Sequence, residues 1–449
     1  MSGSTEVNLN NVVLKDIVSK AQIAQREWAA NPVARSTALS KAAEIFKAHQ
    51  AELVESMVNE VHKPLTEARG ECGRAIAILE FFSATALDPD GDTYPGVNST
   101  LLYSQRRAHG IAGLITPWNF PVAIPLWKAA PALAAGNAVI IKPSEFSTKT
   151  ALLVGKLLNT VLPPDIFTVV PGGAEIGKEL IERADVISFT GSVKVGQSVV
   201  AEAARRGKPV QAEMGGLNPA IILPDADLSL LAAQFPIAAF SYSGQKCTAT
   251  RRVIIVGDEA RREEVTKVLT ETTQKLVVGD AASDTTFVGP LIHSASFENY
   301  ATAVTAAAAV GEILAGGVIN RDGKNLPTPT LTRGVPLTHH LMCDEVFGPI
   351  AHIVYADTAQ EAIDIANNVE YGLTASLHTQ DLASAISLSS QLKTGMVKVN
   401  GPTAGVDFYA PFGGTKSSSY GMREQGKVAM DFYTRLQTVT ITPGKGRFF

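Results

Sequence analysis

The chain has 449 residues, 45% hydrophobic and 18% charged, with 39 basic against 43 acidic side chains and a net charge of −4. That is a soluble globular composition, long enough for two or three domains, and its charge balance gives no electrostatic case for nucleic acid or an anionic membrane as partner. No apolar run reaches the ~18 residues of a spanning helix, the polar start "MSGSTEVNLNNVV" lacks a secretory pattern, and Cys72, Cys247 and Cys343 are too scattered for a disulfide framework or a metal motif, so a reducing, cytoplasmic setting is expected.

In chain order, residues from about Val12 to Leu87 read as helices: "LKDIVSKAQIAQREWAA" repeats apolar residues at helical spacing up to a stop at Pro32, and the pattern resumes to the proline after "VHK". "DPDGDTYPG" is loop. From Arg107 short apolar runs alternate with helical patterns: "GIAGLIT", "NAVIIKP", "FTVVPGG" and "DVISFTGS", then, after Gly215, "NPAIILPDAD", "RRVIIVGD", "FGPIAHIVYA" and "TGMVKVNG". Such alternation predicts parallel strands with crossover helices, and runs apolar throughout suit sheets covered on both faces. The expected organisation is α/β: residues 1–92 and 109–214 as a dinucleotide-binding domain, 215–415 as a catalytic domain, and 93–108 with 430–449 as bridging strands, in which "STLLYSQRRA" and "RLQTVTIT" pair as a small arm.

Several short stretches are candidates for chemistry, each with a plainer reading. "SFTGSVKVGQ" sets the Gly191–Ser192 turn between a strand and a helix, where free N–H groups and the helix dipole suit a phosphate; an ordinary glycine turn reads equally well. "IIKPSE" ends a buried run with Lys142 and Glu145, at the strand end where α/β sheets bind ligands, and Glu145 could take ribose hydroxyls; a solvated charge pair is the alternative. "EMGGLNP" puts Glu213 before two glycines, as a general base in an apolar cleft or as a salt-bridge partner. In "ITPWNFP", Asn119 between prolines and aromatics could aim an amide at an oxyanion, or simply make a turn. In "YSGQKCTATRRV", Cys247 follows Lys246, and nearby positive charge favours the nucleophilic thiolate; a buried structural cysteine, the reading that suits Cys72 and Cys343, is the alternative. "DEVFGPI" offers Glu345 and Phe347 for a ribose and a flat ring, or for a strand-edge loop. "PFGGTKSSSYGMREQG" could shape a pocket or merely connect.

Together and in order, "ITPWNFP", "KPSE", "FTGS", "EMGG", "GQKC", "EVFGP" and "PFGG" resemble the aldehyde dehydrogenase superfamily, with motifs from about Arg107 to Gln425. The resemblance implies an aldehyde dehydrogenase-like fold of two parallel-sheet α/β domains plus a small β oligomerisation arm. It implies Cys247 as nucleophile, Glu213 as general base and Asn119 as oxyanion donor beside the backbone N–H of Cys247. NAD, with NADP as the other possibility, would be held by Thr116, Trp118, Lys142, Ser144, Glu145, Gly173, Gly177, Phe189, Gly191, Ser192, Glu345 and Phe347. Lys128 matches a scaffold lysine and Arg252 a structural arginine. The implied reaction oxidises an aldehyde to the acid through a thiohemiacetal and a thioester, and the presence of Glu213 favours hydrolysis over acyl transfer to coenzyme A. The implied partners are a small aldehyde and further copies of the chain, as a homodimer or homotetramer. Two departures stand out: the chain lacks the N-terminal hairpin of many relatives, and "YGMREQG" is one residue longer than the commonest form.

"GQKCTAT" and "GPTAGVDFYAPFGGTKSSSYGMREQG" are similar to the α-ketoglutarate-semialdehyde (2,5-dioxopentanoate) dehydrogenase branch; succinate-semialdehyde dehydrogenases compete, though many carry Arg where this chain has Trp127. An anionic substrate wants a cation, for which Lys246 and Arg251 are the candidates, and Phe120, Trp127, Phe408, Tyr409 and Phe412 are expected in the tunnel, which could also suit an aromatic or other acidic aldehyde. The competing classes are a non-catalytic crystallin-like protein, which would be expected to lose Cys247, Glu213 or Asn119, and a cofactor-free cysteine hydrolase, which needs no "KPSE" or "EVFGP".

Overall fold

The structure, a computed structural model, describes residues 14–88, 90–97, 100–320, 323–442 and 444. The expectations for residues 1–13, 443 and 445–449 therefore lie outside the described residues. Among those described, no helix is long and apolar enough to cross a membrane.

The apolar runs become two buried sheets. The first has six strands in the spatial order Ser419–Tyr420, Val210–Glu213, Val186–Thr190, Ile111–Ile115, Ala138–Lys142 and Phe167–Val169. All neighbours run parallel except the short edge strand Ser419–Tyr420. The chain moves outward in one direction from Ile111–Ile115 and then returns to build the other side from Val186–Thr190. Strand order thus reverses between these two, and the crevice at their C-terminal ends is where open α/β sheets take ligands. The second sheet has seven strands, in the order Glu312–Ala315, Thr330–Arg333, Ile350–Ala356, Thr250–Val256, Asn218–Ile222, Thr374–His378 and Met396–Val399, again parallel except at one edge, where Glu312–Ala315 is antiparallel.

The two distant strands do pair: Leu101–Ala108 runs antiparallel to Thr434–Ile441 over eight residue pairs, with Thr93–Tyr94 on the other side. Among the N-terminal helices, Leu14–Ala30 buries Leu14, Val18, Ala21 and Trp28, and the Trp28 indole N–H donates to the Leu133 carbonyl at 3.0 Å. Pro32 does more than stop that helix: it occupies the first turn of the next one, Pro32–Ala48, where its missing N–H costs nothing. The helix Ala123–Ala134 is buried on every side and has no side-chain cap of its own. Its first N–H groups are instead satisfied by Glu71 Oε1, which accepts from Val122 N and Ala123 N, both at 2.9 Å. Glu71 in turn pairs with the fully buried Lys63. This buried ion pair ties the N-terminal helices to the loop that carries Asn119.

Candidate active site

Two cavities meet at one residue. The first, about 330 Å³, is lined by Trp118, Asn119, Gly191, Ser192, Met214, Gly215, Glu345 and Phe347 among others; the second, about 300 Å³, by Glu67, Glu71, Arg74, Phe120, Trp127, Lys246 and Phe412 among others. Cys247 lines both. It is half-buried, whereas Cys72 is fully buried and Cys343 lies exposed at the surface.

The backbone leading to Cys247 is strained and bolted down. Tyr242, Ser243 and Gly244 are left-handed in succession, with φ of 50°, 56° and 66°. Such a conformation costs the two non-glycine residues on the order of 1–3 kcal/mol each and persists only where surroundings enforce it. Tyr242 Oη donates to the Val61 carbonyl at 2.9 Å, Ser243 Oγ to the Gly289 carbonyl at 2.7 Å, and Gln245 Oε1 accepts from Ile292 N at 3.0 Å. Asn119 is buried, and its Nδ2 donates to the Gln245 carbonyl at 3.0 Å. One amide N–H is so engaged, and the second remains for a charge developing beside Cys247.

The expected activation of the thiol by Lys246 is corrected by the structure. The Lys246 ammonium turns to Glu67 at 2.8 Å and Ser241 Oγ at 2.7 Å. Burial, and then the carboxylates of Glu345 and Glu213, push the Cys247 thiol up to about 12, against a small downward pull from its own backbone N–H. The resting nucleophile is therefore a thiol, and a base must take its proton. Glu213 is buried and held well above its ordinary range by burial and by the nearby Glu424, opposed by Ser419, Lys128 and Arg423. It lines neither cavity. Behind it, Lys128 is fully buried and pairs with Glu424, and both join Ser188.

On the first cavity's side, the other expected residues gather at the sheet's switch point and beyond it. Ser192 precedes the helix Val193–Arg205 without capping it, so the first N–H groups of that helix are left for an anion. Thr116 Oγ1 and Thr190 Oγ1 are buried without partners. Glu345 Oε1 accepts from Gly216 N at 3.2 Å, and burial raises this carboxyl to about 7 in spite of nearby Arg251. Further out, a Cβ on Gly173 would lie 3.6 Å from Glu145 Oε1, and one on Gly177 3.7 Å from the Lys142 side chain, so these four residues frame a bare patch of backbone. Lys142 donates to its neighbouring Pro143 carbonyl at 2.7 Å. Ser144 is occupied locally, its Oγ accepting from Phe146 N at 3.3 Å. The Phe189 ring is buried beneath the turn, 2.6 Å from where a Gly191 Cβ would sit; it shapes the turn and does not line the cavity. Orphaned hydroxyls, open helix N–H groups and glycine-bared backbone fit a dinucleotide, which these residues together with Glu345 and Phe347 would hold.

On the second cavity's side, Phe120, Trp127 and Phe412 are wall residues, with the Trp127 and Phe412 rings 5.5 Å apart. Two expected members are absent from the wall: Phe408 packs on Phe81 at 5.9 Å, and Tyr409 is exposed. Arg251 is also corrected. Its buried guanidinium donates to the carbonyls of Gly244 and Gly348, clamping the nucleophile loop to the "EVFGP" loop, and it reaches neither cavity. Arg252 donates to the carbonyls of Leu217, Ile365 and Ala366, a structural role. Sequence reasoning missed Arg74, Glu67 and Glu71, all on the helix Leu65–Thr85. The sequence shows only that Thr66, Gly70 and Arg74 fall at four-residue intervals, on one face of a helix, and not what that face meets.

A half-buried cysteine thus stands between a crevice at the sheet's switch point and an aromatic-walled pocket, the setting of a cofactor-dependent oxidoreductase. The chain belongs to the aldehyde dehydrogenase family, whose model matches residues 8–439. It is 36% identical over 422 residues to the α-ketoglutaric semialdehyde dehydrogenase of Bacillus subtilis, covering 91% of this chain and 86% of that one. Among solved structures it is similar to an NAD-dependent aldehyde dehydrogenase of Sinorhizobium meliloti (TM-score 0.91, 31% identity, 97% of this chain and 88% of that one). It is similar as well to the glyceraldehyde-3-phosphate dehydrogenase of Methanocaldococcus jannaschii complexed with NADP (TM-score 0.90, 30% identity, 96% and 94%).

Proposed function

We propose that this NAD(P)-dependent aldehyde dehydrogenase oxidises an aldehyde bearing a distal carboxylate, α-ketoglutarate semialdehyde first among them, to the corresponding acid. One observation carries the choice of substrate class. The second cavity contains two carboxylates and two ammonium or guanidinium groups, and three of these four are already committed: Glu67 pairs with Lys246, and Glu71 with the buried Lys63 behind it. Arg74, half-buried on the same wall, is in no ion pair or hydrogen bond among the described residues, although it lies within electrostatic reach of Glu67. With Lys63 counted, three cations face two carboxylates, and Arg74 is the cation placed for fork-like binding of a further carboxylate. The relationship to a semialdehyde dehydrogenase agrees with that charge. The paired rings of Trp127 and Phe412, tilted by 37°, favour a second reading, an aromatic aldehyde, and succinic semialdehyde is the carboxylate-bearing alternative.

In this reading Cys247 loses its proton to solvent and adds as the thiolate to the aldehyde carbon, and the oxyanion of the thiohemiacetal is met by Asn119 Nδ2–H and the backbone N–H of Cys247. The nicotinamide cofactor, when bound, supplies the hydride acceptor. Collapse of the thiohemiacetal leaves a thioester on Cys247. Glu213 then takes a proton from water, whose oxygen attacks the thioester and releases acid and thiol. The exposed carboxylate of Glu145 would accept bonds from a free ribose 2′-hydroxyl and repel a 2′-phosphate, so NAD is the expected cofactor, with NADP used less well. In this reading the arm of paired strands would serve as the surface of a homodimer or homotetramer.

The test is Arg74→Ala assayed with succinic and α-ketoglutaric semialdehydes and with propanal. A lost charge-assisted contact, about 1.5–3 kcal/mol, should lower kcat/KM for the acids by about 10- to 100-fold and leave propanal within about twofold. Equal effects on all three would remove Arg74 from substrate recognition.

A further inference from the structure

Three segments remote in sequence meet at one buried cation. Lys63 stands in the turn between the helices Gln50–Val61 and Leu65–Thr85 and is fully buried. Its ammonium lies 3.7 Å from the centre of the Phe120 ring and 4.4 Å from the centre of the Tyr242 ring. Those two rings meet edge to face, with centres 6.3 Å apart. Phe120 follows Asn119, and Tyr242 opens the left-handed run that leads to Cys247. Among the described residues, the ammonium donates a hydrogen bond to Glu71 alone. The other oxygen of Glu71 accepts from Val122 N and Ala123 N, just beyond Asn119. The turn before Lys63 takes hold of Tyr242 a second time, where the Val61 carbonyl accepts from its hydroxyl at 2.9 Å. The oxyanion segment is thus gripped by ring and backbone, and the nucleophile segment by ring and hydroxyl.

A cation is the less stable occupant for such a place. Burial pulls the Lys63 ammonium below its ordinary range, with Glu71 and Glu67 opposing and Lys246 adding to the pull; an apolar side chain of similar length would fill the space without that penalty. An apolar chain would not supply direction. The face of each ring attracts a charge, and a desolvated cation shared by two rings fixes one ring against the other. The oxyanion hole needs that registration, because one of its donors is the Asn119 amide and the other is the Cys247 backbone, and hydrogen bonds to a developing charge fail when donors are misplaced by about an ångström. We propose that Lys63 is a positioning residue of the oxyanion hole, a cation clamped between Phe120 and Tyr242 that sets the Asn119 amide in register with Cys247. The proposal rests on the dehydrogenase reading above.

The experiment uses the full-length enzyme with propanal, which leaves the carboxylate-recognition question aside, and with NAD or NADP. Rapid mixing reads the rate at which the first turnover produces reduced cofactor. The variant is Lys63→Met with Glu71→Gln, which leaves no charge buried without its partner and keeps an acceptor oxygen for Val122 N and Ala123 N. Loss of the clamp should slow the first turnover by about 10- to 50-fold and leave KM for propanal within about threefold. Alkylation of Cys247 by iodoacetamide forms no oxyanion and should stay within about twofold. In an Asn119→Ala background the same pair of substitutions should change the first turnover by less than about twofold, because the group they position is gone. Tyr242→Leu, which removes one ring and leaves the ion pair in place, should reproduce these results if the first variant folds poorly. An equal loss with and without Asn119, a parallel loss of alkylation, or no loss at all overturns the clamp alone. No reduced cofactor from the unaltered enzyme overturns the dehydrogenase reading and the clamp with it.

Discussion

The two cavities that meet at Cys247 are built on opposite plans. The cofactor side is made largely from backbone: a glycine turn, the open end of the helix Val193–Arg205, orphaned threonine hydroxyls and bared glycines at Gly173 and Gly177. The substrate side is made from side chains: three aromatic rings and the charged face of the helix Leu65–Thr85. Backbone recognition tolerates little change in sequence, because a single Cβ at the wrong place fills the crevice. Side-chain recognition is retuned by single substitutions. On the proposed reading the cofactor side would resist substitution while the aldehyde side is retuned, and the comparison can be tested from both sides of the sulfur.

The largest effect is expected at the junction. Cys247→Ala should lower turnover by a factor on the order of 10⁴ or more, as loss of a covalent nucleophile does. If the cofactor side is an independent, backbone-built cavity, titration with NADH by fluorescence should give an unchanged affinity in the same variant. A lost affinity would mean that the two sides are one site. Next is Asn119→Ala, where removing an oxyanion donor should reduce kcat by about 10²- to 10³-fold with little change in KM; a change confined to KM would make Asn119 a binding group. The Arg74 substitution, at about 10- to 100-fold and only for acidic aldehydes, then separates substrate recognition from chemistry.

The smallest effect is a pH shift. Glu345 is, after burial, the first contributor to the raised thiol, which stands at about 12. Removing a negative neighbour favours the thiolate, so Glu345→Gln should move the midpoint for alkylation of Cys247 by iodoacetamide to lower pH in the cofactor-free enzyme. Alkylation rates should rise with pH throughout the approach to that midpoint in both proteins. An unchanged or higher midpoint in the variant would show that burial alone sets the thiol. The same substitution should weaken NADH binding, since Glu345 belongs to the cofactor side.

The cofactor side was also the more legible in the sequence. Buried parallel strands need unbroken apolar runs and announce themselves locally, whereas Gly191, Lys142 and Glu345 each had a plain local reading and became legible only through the joint order of their motifs. The arm was legible too, because Leu101–Ala108 and Thr434–Ile441 are two exposed-looking strands with no nearer mate. The substrate side was not. Glu67, Glu71 and Arg74 sit on a helix whose polar face reads as solvated, and only the tertiary fold turns that face onto Cys247. Arg251 lines neither cavity, and Lys246 lines the second with its ammonium already held by Glu67 and Ser241. Adjacency along the chain placed both near Cys247, but buried cations go where carbonyls or carboxylates wait, and two of those partners, Gly348 and Glu67, lie on segments remote in sequence. The strand Thr374–His378, wholly buried between Asn218–Ile222 and Met396–Val399, went unread because "TASLH" is too small and polar to look like core.

The measurement that bears most directly on the account is the mass of the peptide containing Cys247, taken from the Glu213→Gln enzyme after mixing with α-ketoglutaric semialdehyde and NAD. With attack intact and hydrolysis disabled, the peptide should gain the mass of the acyl group, sensitive to hydroxylamine as a thioester is, while peptides containing Cys72 and Cys343 stay unmodified. Reduced cofactor formed without any adduct on Cys247, or an adduct on another cysteine, would contradict it.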